Sequence, residues 1–309
     1  MSLETPVAFF IFKRPETTQQ VFDVIKKIKP KKLLVIADGP KTYEERVKCQ
    51  QARSIIEEVD WNCEIYKNYS QINLGCRQRV SSGIDWVFSK VEEAIILEDD
   101  CLPSESFFQF CSILLEKYRY DERIMMISGN NYPYAKLSDE ASYCFSKYTL
   151  IWGWATWKRA WKYYDVSLKD WDDLSIQPVI KAMCNTSSEI KFRLQRFREV
   201  KTGKIDTWDS QWLYTCWSQN GLAILPKYNL VSNIGFGKNA TNTKIDHKLS
   251  NLPINDIYNI KHPKFVFRNE QNDSNIFDYW FNGKYLKKQE QLHIKLKNNI
   301  KENIKKIFK

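Results

Sequence analysis

The stretch Ala94-Ile95-Ile96-Leu97-Glu98-Asp99-Asp100 joins a short apolar run to three consecutive carboxylates. The apolar run has the composition of a buried β-strand. Three adjacent acidic side chains repel one another and resist desolvation, so a purely structural use of them is costly. A hard divalent cation such as Mn²⁺ or Mg²⁺ resolves the conflict because it prefers carboxylate oxygens. We therefore predict a metal site here, with a solvated acidic loop or an acidic helix cap near Ser104 as the alternatives.

Further apolar runs lie on both sides of this stretch, and helical patterns separate them. Strands are predicted at residues 7–12, 33–36, 63–66, 94–97 and 124–127, and helices at 17–28, 44–59, 79–91 and 104–118. Strands that alternate with helices of about 10–15 residues predict a doubly wound, mostly parallel α/β sheet with helices on both faces. Ligands bind such sheets beyond the carboxyl ends of the strands.

Polar residues at the ends of the predicted strands are candidates for ligand binding, because the ligand crevice lies beyond those ends. Lys13-Arg14 ends the first strand, Asp38 the second, and the acidic run the fourth. Neither a Gly-rich dinucleotide fingerprint nor a phosphate-binding loop with its Lys is present, which disfavours both kinds of site. We predict a nucleotide-sugar-binding half over residues 1–131 and an acceptor-side half over 132–283, where many of the eleven Trp lie.

The net charge of +10 is concentrated in the C-terminal segment 284–309, where nine Lys stand against two Glu. Five apolar residues follow one another at i, i+4 spacing there: Leu292, Leu296, Ile300, Ile304 and Phe308. This pattern predicts a basic amphipathic helix that either lies on an anionic membrane surface or packs its apolar stripe on the domain. The remainder is nearly neutral, so a nucleic-acid partner is not expected.

Targeting signals and cysteine usage bear on the compartment. The first thirty residues lack the charged and apolar regions of a signal peptide, and no run has the roughly 18 apolar residues of a membrane span. The eight Cys are far apart and none forms a Cys-x-x-Cys pair, which favours reduced, mostly buried thiols. We therefore expect a cytoplasmic protein, whose membrane contact would be peripheral and at the inner face.

Several motifs together resemble N-acetylglucosaminyltransferase I and its bacterial relatives, which are inverting GT-A enzymes that use UDP-sugars. The acidic run is followed by Pro103-Ser104-x-x-Phe107-Phe108, and the later motifs, in the same order as in that family, extend the resemblance from about Pro6 to Thr243. These later motifs are Asn73-Leu74-Gly75, Trp152-Gly153-Trp154-Ala155, Trp208-Asp209-Ser210-Gln211-Trp212, Pro226, Ser232-Asn233 and Gly235-Phe236-Gly237.

For the nucleotide half, the resemblance implies a role for each acidic residue at the strand ends. Asp100 matches the direct metal ligand, Asp99 would hydrogen-bond the ribose, and Glu98 would face the donor sugar. Asp38 matches the acid that reads the uracil edge. Two basic residues match positions near the nucleotide and the donor: Arg14 and Arg77.

For the second half, the resemblance implies that Asp209 is the catalytic base. The alternatives are that Asp209 caps the following helix, or that Asp206 is the base. Trp152, Gly153 and Trp154 match a loop that would form part of the sugar or acceptor wall, with core packing of the two Trp as the alternative. Relatives tend to have a His where this sequence has Asn242, and His247 lies near enough to substitute for it.

These observations predict an inverting, metal-dependent transferase that moves a sugar from a UDP-sugar to a hydroxyl of a glycan or lipid-linked precursor, as in polysaccharide biosynthesis. The expected cofactor is Mn²⁺ or Mg²⁺. Two alternatives stay open: a sugar-1-phosphate nucleotidyltransferase, which shares the α/β layout and the Mg²⁺ requirement, and a catalytically inactive relative that binds a nucleotide or glycan.

Overall fold

A computed structural model describes residues 2–131, 140–172, 174–236 and 251–307. Strands and helices alternate through its first half, as predicted. In chain order they are β1 (Val7–Ile11), α1 (Pro15–Ile28), β2 (Lys32–Ala37), α2 (Tyr43–Ser54), β3 (Glu64–Tyr69), α3 (Gly75–Phe88), β4 (Glu93–Glu98), β5 (Cys101–Pro103), α4 (Glu105–Lys117) and β6 (Ile124–Ser128). A 3-10 turn, Ile55–Glu58, ends the predicted helix 44–59.

The second half has shorter strands and more helices, again as the sequence indicates. Its elements are β7 (Tyr143–Ser146), β8 (Trp154–Trp157), α5 (Lys158–Trp161), α6 (Ile176–Met183), α7 (Ser187–Lys201), α8 (Asp209–Ser218), β9 (Leu222–Pro226), β10 (Val231–Asn233), α9 (Glu270–Trp280) and α10 (Gly283–Ile307). A second 3-10 turn, Lys169–Asp172, lies between α5 and α6.

Within the described segments, eight strands form one sheet in the order β3-β2-β1-β4-β8-β6-β9-β7. Strands β1 to β4 are mutually parallel, β8 is antiparallel to β4 and β6, β9 is parallel to β6, and β7 is antiparallel to β9. Six strands therefore share one direction. This confirms the predicted GT-A-like, doubly wound and mostly parallel sheet. The sheet is continuous through both predicted halves, and the boundary at residue 131 stays a prediction.

Each face of the sheet is covered by helices because alternate side chains of the central strands point to opposite sides. Phe10 and Ile36 belong to the apolar cluster that holds the buried residues of α3 and α5 to α9. Phe9 and Val35 belong to the cluster that holds those of α1 and α4. Because β1 and β2 are buried on both faces, they are apolar throughout, as is typical of parallel strands.

A short antiparallel ribbon outside the main sheet positions the acidic run. β5 follows the run directly and pairs with β10, with Asn233 opposite Cys101 and Val231 opposite Pro103. Ser104 then caps α4, because its hydroxyl accepts the Phe107 N–H at 3.3 Å. The chain between β4 and α4 is thus held at both ends, and residues of β10 are brought beside Asp100.

The C-terminal helix α10 forms as the sequence predicts, and its first turns dock on the domain. Glu290 accepts a hydrogen bond from Ser187 at 2.9 Å and pairs with Lys191. Further along, Leu292, Leu296 and Ile300 are 52%, 61% and 57% exposed; the side chain of Ile304 and all of Phe308 lie outside the described part of the chain. No helix described here has both the length and the hydropathy needed to cross a bilayer.

Candidate active site

The acidic run lies at the carboxyl end of β4, where the fold predicts a ligand crevice. Glu98 is the last residue of β4, and Asp99 and Asp100 form the turn into β5. The Ile234 N–H donates to the Asp100 carbonyl oxygen at 2.8 Å, which fixes the turn against the segment after β10. A Cβ atom on Gly235 would lie 2.1 Å from Asp100 Oδ2. The Asp100 carboxylate therefore occupies space that only a glycine at position 235 leaves open.

Arg14, at the carboxyl end of β1, binds two of the three carboxylates. Its Nη1 lies 2.7 Å from Asp100 Oδ2, and its Nη2 pairs with Asp99. Asp99 also accepts the Phe12 N–H at 2.9 Å and is buried. Burial alone would lower the pKa of the Arg14 guanidinium, but Asp99 and Asp100 raise it above its ordinary value. Arg14 thus holds the strand ends of β1 and β4 together by charge.

The charge of Arg14 offsets that of Glu98 less than it offsets those of Asp99 and Asp100, with which Arg14 forms ion pairs. Burial, and then the nearby charges of Asp100 and Asp99, raise the pKa of Glu98 to about 8, although Arg14 opposes the shift. The described residues contain no group of three His, Cys, Asp or Glu side chains that could hold a metal alone. Mg²⁺ and similar ions, however, often take one or two protein carboxylates and complete their shell with water and phosphates. Asp100, which lines the cleft, fits such a cation as its protein carboxylate, and the cation would offset the mutual repulsion of the three acidic side chains.

A cleft of about 490 Å³ opens beside the acidic run and joins the two halves of the chain. Its walls come from the end of β4, the segment after β10, the loop before β8, helix α7 and the start of α8. The lining includes Arg14, Glu98, Asp100, Trp152, Arg196, Asp206, Asp209 and Phe236. The structure therefore brings together the carboxylates of residues 98–100 and those of residues 206–209, which are about a hundred positions apart in sequence.

Asp209 is the first residue of α8, and Trp208 occupies the cap position. Its Oδ1 accepts the Ser210 N–H at 2.8 Å and the Thr207 hydroxyl. Oδ2 has no hydrogen-bond partner in the part of the chain that the structure describes, so it can take a proton from a ligand. Asp209 therefore contacts the first turn of α8 through Oδ1, and its role as the catalytic base stays a prediction.

Asp206, the competing candidate for the base, also lines the cleft. Its Oδ2 lies 3.3 Å from the position that a Cβ on Gly75 would occupy, so the carboxylate sits over the N-terminus of α3. Anions are stabilised there by the unpaired backbone N–H groups and the helix dipole. The choice between Asp206 and Asp209 as the base therefore stays open, because both line the cleft.

A smaller cavity of about 120 Å³ adjoins the cleft, and Asp38 is among its lining residues. Asp38 Oδ1 accepts the N–H groups of Gly39 and Leu74 at 2.8 and 2.9 Å, and Oδ2 accepts that of Gly75 at 3.1 Å. The Asn73 amide also donates to Oδ2 at 3.0 Å. Asp38 thus caps the start of α3 from the end of β2, and its proposed contact with uracil stays a prediction.

Cys76 lines both cavities and separates them. Burial, followed by the charges of Glu98, Asp209 and Asp206, raises the pKa of its thiol well above the ordinary value. The thiol therefore stays neutral. Glu98 from the first half of the chain and Asp206 and Asp209 from the second half all act on this one side chain at the start of α3.

The predicted Trp-Gly-Trp loop divides between cleft and core. Trp152 lines the cleft, where its ring meets Phe236 and Trp280 at centroid distances of 5.5 and 4.7 Å. Trp154 is 1% exposed and stacks on Trp208 within the core, which corresponds to the packing alternative. Gly153 between them has φ +67°, so the backbone changes direction immediately before β8 begins.

Arg77 is directed to the backbone of the second half. Its guanidinium donates to the carbonyl oxygens of Val166 and Val200, the latter at 3.5 Å. Neither cavity, as lined by the described residues, includes Arg77. Its donor contact stays a prediction, and the interaction observed is one that joins α3 to the segments near α7.

Some cleft residues were not anticipated as ligand contacts. Phe236 belongs to the Gly-Phe-Gly motif, so its position could have been inferred from that resemblance. Arg196 has no distinguishing signal because it is one of several basic residues along α7. Gly237, Asn242 and His247 lie outside the described residues, so their predicted relation to the metal or diphosphate is not addressed.

No protein-family model matches this chain, and no curated protein matches it in sequence. Some solved structures resemble this chain at low similarity. Staphylococcus aureus TarS 1–349 is 9% identical, with 72% of this chain and 58% of that chain covered and a TM-score of 0.40. The 4-diphosphocytidyl-2C-methyl-D-erythritol synthase of Anaerococcus prevotii is 9% identical, with 73% and 91% covered and a TM-score of 0.36. A UDP-glucose pyrophosphorylase complexed with UDP-glucose is 9% identical, with 72% and 90% covered and a TM-score of 0.34.

Similarity at this level does not establish an activity for this chain, and the match spans less than two thirds of the TarS chain. The fold assignment rests on the strand order and directions of the sheet itself. None of these three structures is an N-acetylglucosaminyltransferase I, so that narrower resemblance stays a prediction from the sequence motifs.

Proposed function

We propose that this protein is a metal-dependent, inverting glycosyltransferase that moves a sugar from a UDP-sugar to a hydroxyl of a glycan or lipid-linked precursor. The single observation that carries the proposal is the shared cleft. In it, Glu98 and Asp100 from the nucleotide half face the same space as Asp209 from the second half. A transferase needs this combination because one group must assist the leaving diphosphate while another removes a proton from the acceptor.

On the donor side, the smaller cavity suits the nucleoside and the cleft suits the sugar. Asp38 and Asp99 are assigned to the uracil and the ribose by the sequence resemblance, and both line the smaller cavity. Arg14 lines both cavities, and its planar guanidinium matches the geometry of a diphosphate. Asp100 would hold the divalent cation, which would stabilise the negative charge that develops on the leaving group, and Glu98 would face the donor sugar.

On the acceptor side, Asp209 Oδ2 takes the proton of the attacking hydroxyl. The hydroxyl oxygen then forms a bond to the anomeric carbon as the bond from that carbon to the diphosphate oxygen breaks. The electron pair of the broken bond leaves with UDP, and the configuration at the anomeric carbon inverts. The Ser210 N–H and the Thr207 hydroxyl keep Oδ1 occupied, which leaves Oδ2 to the substrate.

A panel of nucleotide-sugars, incubated with the full chain and Mn²⁺, tests this proposal. We expect release of a free nucleoside diphosphate that requires the metal, increases with acceptor and is lost in Asp100→Ala. NMR of the product would give the anomeric configuration, and retention would contradict inversion. Formation of pyrophosphate from a nucleoside triphosphate and a sugar-1-phosphate would instead identify a nucleotidyltransferase. Metal-dependent UDP binding without turnover of any donor would identify an inactive relative.

The exposed stripe of α10 supports peripheral membrane contact as part of the same function. Leu292, Leu296 and Ile300 are exposed on a helix rich in Lys, and a lipid-linked acceptor would reside in the membrane. A basic amphipathic helix binds anionic lipid through both its charges and its apolar face.

A further inference from the structure

Arg196 on α7 is the second arginine in the cleft, and it differs from Arg14 in its surroundings. Arg14 is paired with two carboxylates. Arg196 donates through Nε to the Ser210 hydroxyl at 3.4 Å, and Glu199 on the same helix is near enough to sense its charge. Its two terminal nitrogens have no hydrogen bond or ion pair to any residue that the structure describes. The guanidinium is therefore anchored at one nitrogen while its outer fork stays available.

The terminal nitrogens of Arg196 lie near the proposed acceptor site rather than near the proposed donor site. Ser210, its anchor, directly follows Asp209, the proposed base. The diphosphate end of the cleft lies at Arg14 and Asp100, which come from the ends of β1 and β4. A ligand that presents its hydroxyl to Asp209 would therefore pass close to Arg196.

The cleft is lined by several acidic side chains, and Arg196 can offset their charge where an anionic ligand would bind. Glu98, Asp100, Asp206 and Asp209 all line the same space, so an anionic acceptor would be repelled in the absence of a compensating cation. An anchored guanidinium presents parallel N–H donors that match a carboxylate or phosphate group in a bidentate manner. We propose that Arg196 binds an acidic group, a carboxylate or a phosphate, on the acceptor, and that the protein therefore prefers acidic acceptors.

This inference rests on the proposed transferase activity, and two pairs of acceptors test it. The first pair is a β-glucuronide and the matching β-glucoside, and the second is a glucoside with and without a 6-phosphate. We expect the full-length protein to favour the acidic member of one pair in kcat/KM, and that pair identifies the anion. Arg196→Gln should lower kcat/KM for that acceptor by roughly 10- to 100-fold, mainly through KM, and change the neutral one less than threefold.

Two further variants separate binding from other effects. Arg196→Lys keeps the charge but not the fork, so it should recover only part of the loss. Arg198→Gln, on the exposed side of the same helix, should behave like the unmodified protein. An equal loss of kcat on both acceptors, with a shifted pH profile, would show that Arg196 acts only on the base and would overturn the proposal. No preference for either acidic acceptor would overturn it as well.

Direct binding keeps the two proposals distinguishable. Titration of the acidic and neutral acceptors into the full chain can be followed by calorimetry without any donor. Binding of the acidic acceptor that Arg196→Gln abolishes, in a protein that turns over no donor, would support the anion site while the transferase proposal failed. Donor turnover with no acidic-acceptor binding would give the opposite result.

Discussion

Nη1 of Arg14 lies 2.7 Å from Oδ2 of Asp100, so a protein cation occupies the carboxylate assigned to the metal. The two residues come from the ends of adjacent parallel strands, β1 and β4. Arg14 also pairs with Asp99, and the side chain of Arg14 is only 17% exposed. A divalent cation at Asp100, as proposed above, would have to compete with Arg14 for this carboxylate.

Removal of Arg14 should strengthen metal binding in the absence of nucleotide. Without the guanidinium, Asp100 is uncompensated and attracts a cation more strongly, so we expect Arg14→Met to bind Mn²⁺ about tenfold more tightly, or about 1.4 kcal/mol. The paramagnetic resonance signal of free Mn²⁺ measures this. Arg123→Met removes an exposed arginine paired with Asp121 and should leave the affinity unchanged. Unchanged affinity in Arg14→Met would mean that Asp100 does not bind the metal.

Gly235→Ala should disrupt the same site through a steric clash with Asp100. The added methyl would lie 2.1 Å from Asp100 Oδ2, so the carboxylate must move. Gly235 does not have a positive φ, and alanine therefore causes no backbone strain there. We expect calorimetric titration to give at least about tenfold weaker Mn²⁺-dependent UDP binding, as for other changes beside metal ligands. Thermal unfolding should change little, and undiminished binding would contradict the role of Asp100.

Asp209→Asn should abolish transfer while donor binding persists. Loss of a general base costs about 100- to 10,000-fold in rate, whereas the proposed nucleotide contacts lie in the other half of the chain. Single-turnover transfer and calorimetric UDP binding measure the two effects separately. Asp206→Asn is the matched control, because it removes a carboxylate from the same cleft and should lower the rate less than tenfold. The reverse order of effects would make Asp206 the base.

The ion pair of Lys147 and Glu189 should be important for stability. Their side chains are 0% and 2% exposed, and Nζ lies 2.6 Å from Oε1. Glu189→Ala leaves the ammonium buried without its partner, so we expect urea unfolding to show a loss of about 3–5 kcal/mol. Glu4→Ala removes the exposed partner of Lys31 and should cost less than about 1 kcal/mol. A loss in Glu189→Ala as small as that in Glu4→Ala would contradict the assignment.

The loss in Glu189→Ala should shrink as the pH rises. Burial lowers the pKa of Lys147 below its ordinary 10.5, and Glu189 opposes that shift together with the nearby Asp273, while Arg268 adds to it. Without Glu189, the folded state releases the proton at lower pH than the unfolded state does. The unfolded state of Glu189→Ala then binds more protons than its folded state, so the free energy of unfolding of this variant rises with pH up to about 10.5. Urea unfolding at pH 7 and pH 9 measures this, and a pH-independent difference would contradict it.

The exposed stripe of α10 should bind anionic vesicles. We expect the full chain to co-sediment with vesicles that contain phosphatidylglycerol, and less with vesicles of phosphatidylcholine alone. The triple change Leu292→Ser, Leu296→Ser and Ile300→Ser should weaken sedimentation without lowering stability, because these side chains are exposed. Equal sedimentation of the two proteins would exclude this face as the membrane contact.

The elements of the first half of the chain were predictable because their signals are local. Buried strands of a parallel sheet are apolar throughout, and the acidic run follows such a strand directly. The start of α3 was less predictable: the sequence pattern placed it at Arg79, whereas the helix begins at Gly75. The extra turn depends on Asp38, which caps the helix from the end of a different strand.

The strand–helix alternation, the strand-end carboxylates and the basic amphipathic C-terminal helix can be read from the amino-acid sequence, because each depends on neighbouring residues. Which charges meet, in contrast, depends on tertiary packing. Arg14 and Asp100 are 86 positions apart, and nothing near either of them in the chain specifies their pairing. The same holds for Arg196, which joins the cleft through α7, and for Trp152 and Trp154, which Gly153 separates into cleft and core. Such relationships depend on how distant elements pack, and packing is a property of the whole fold.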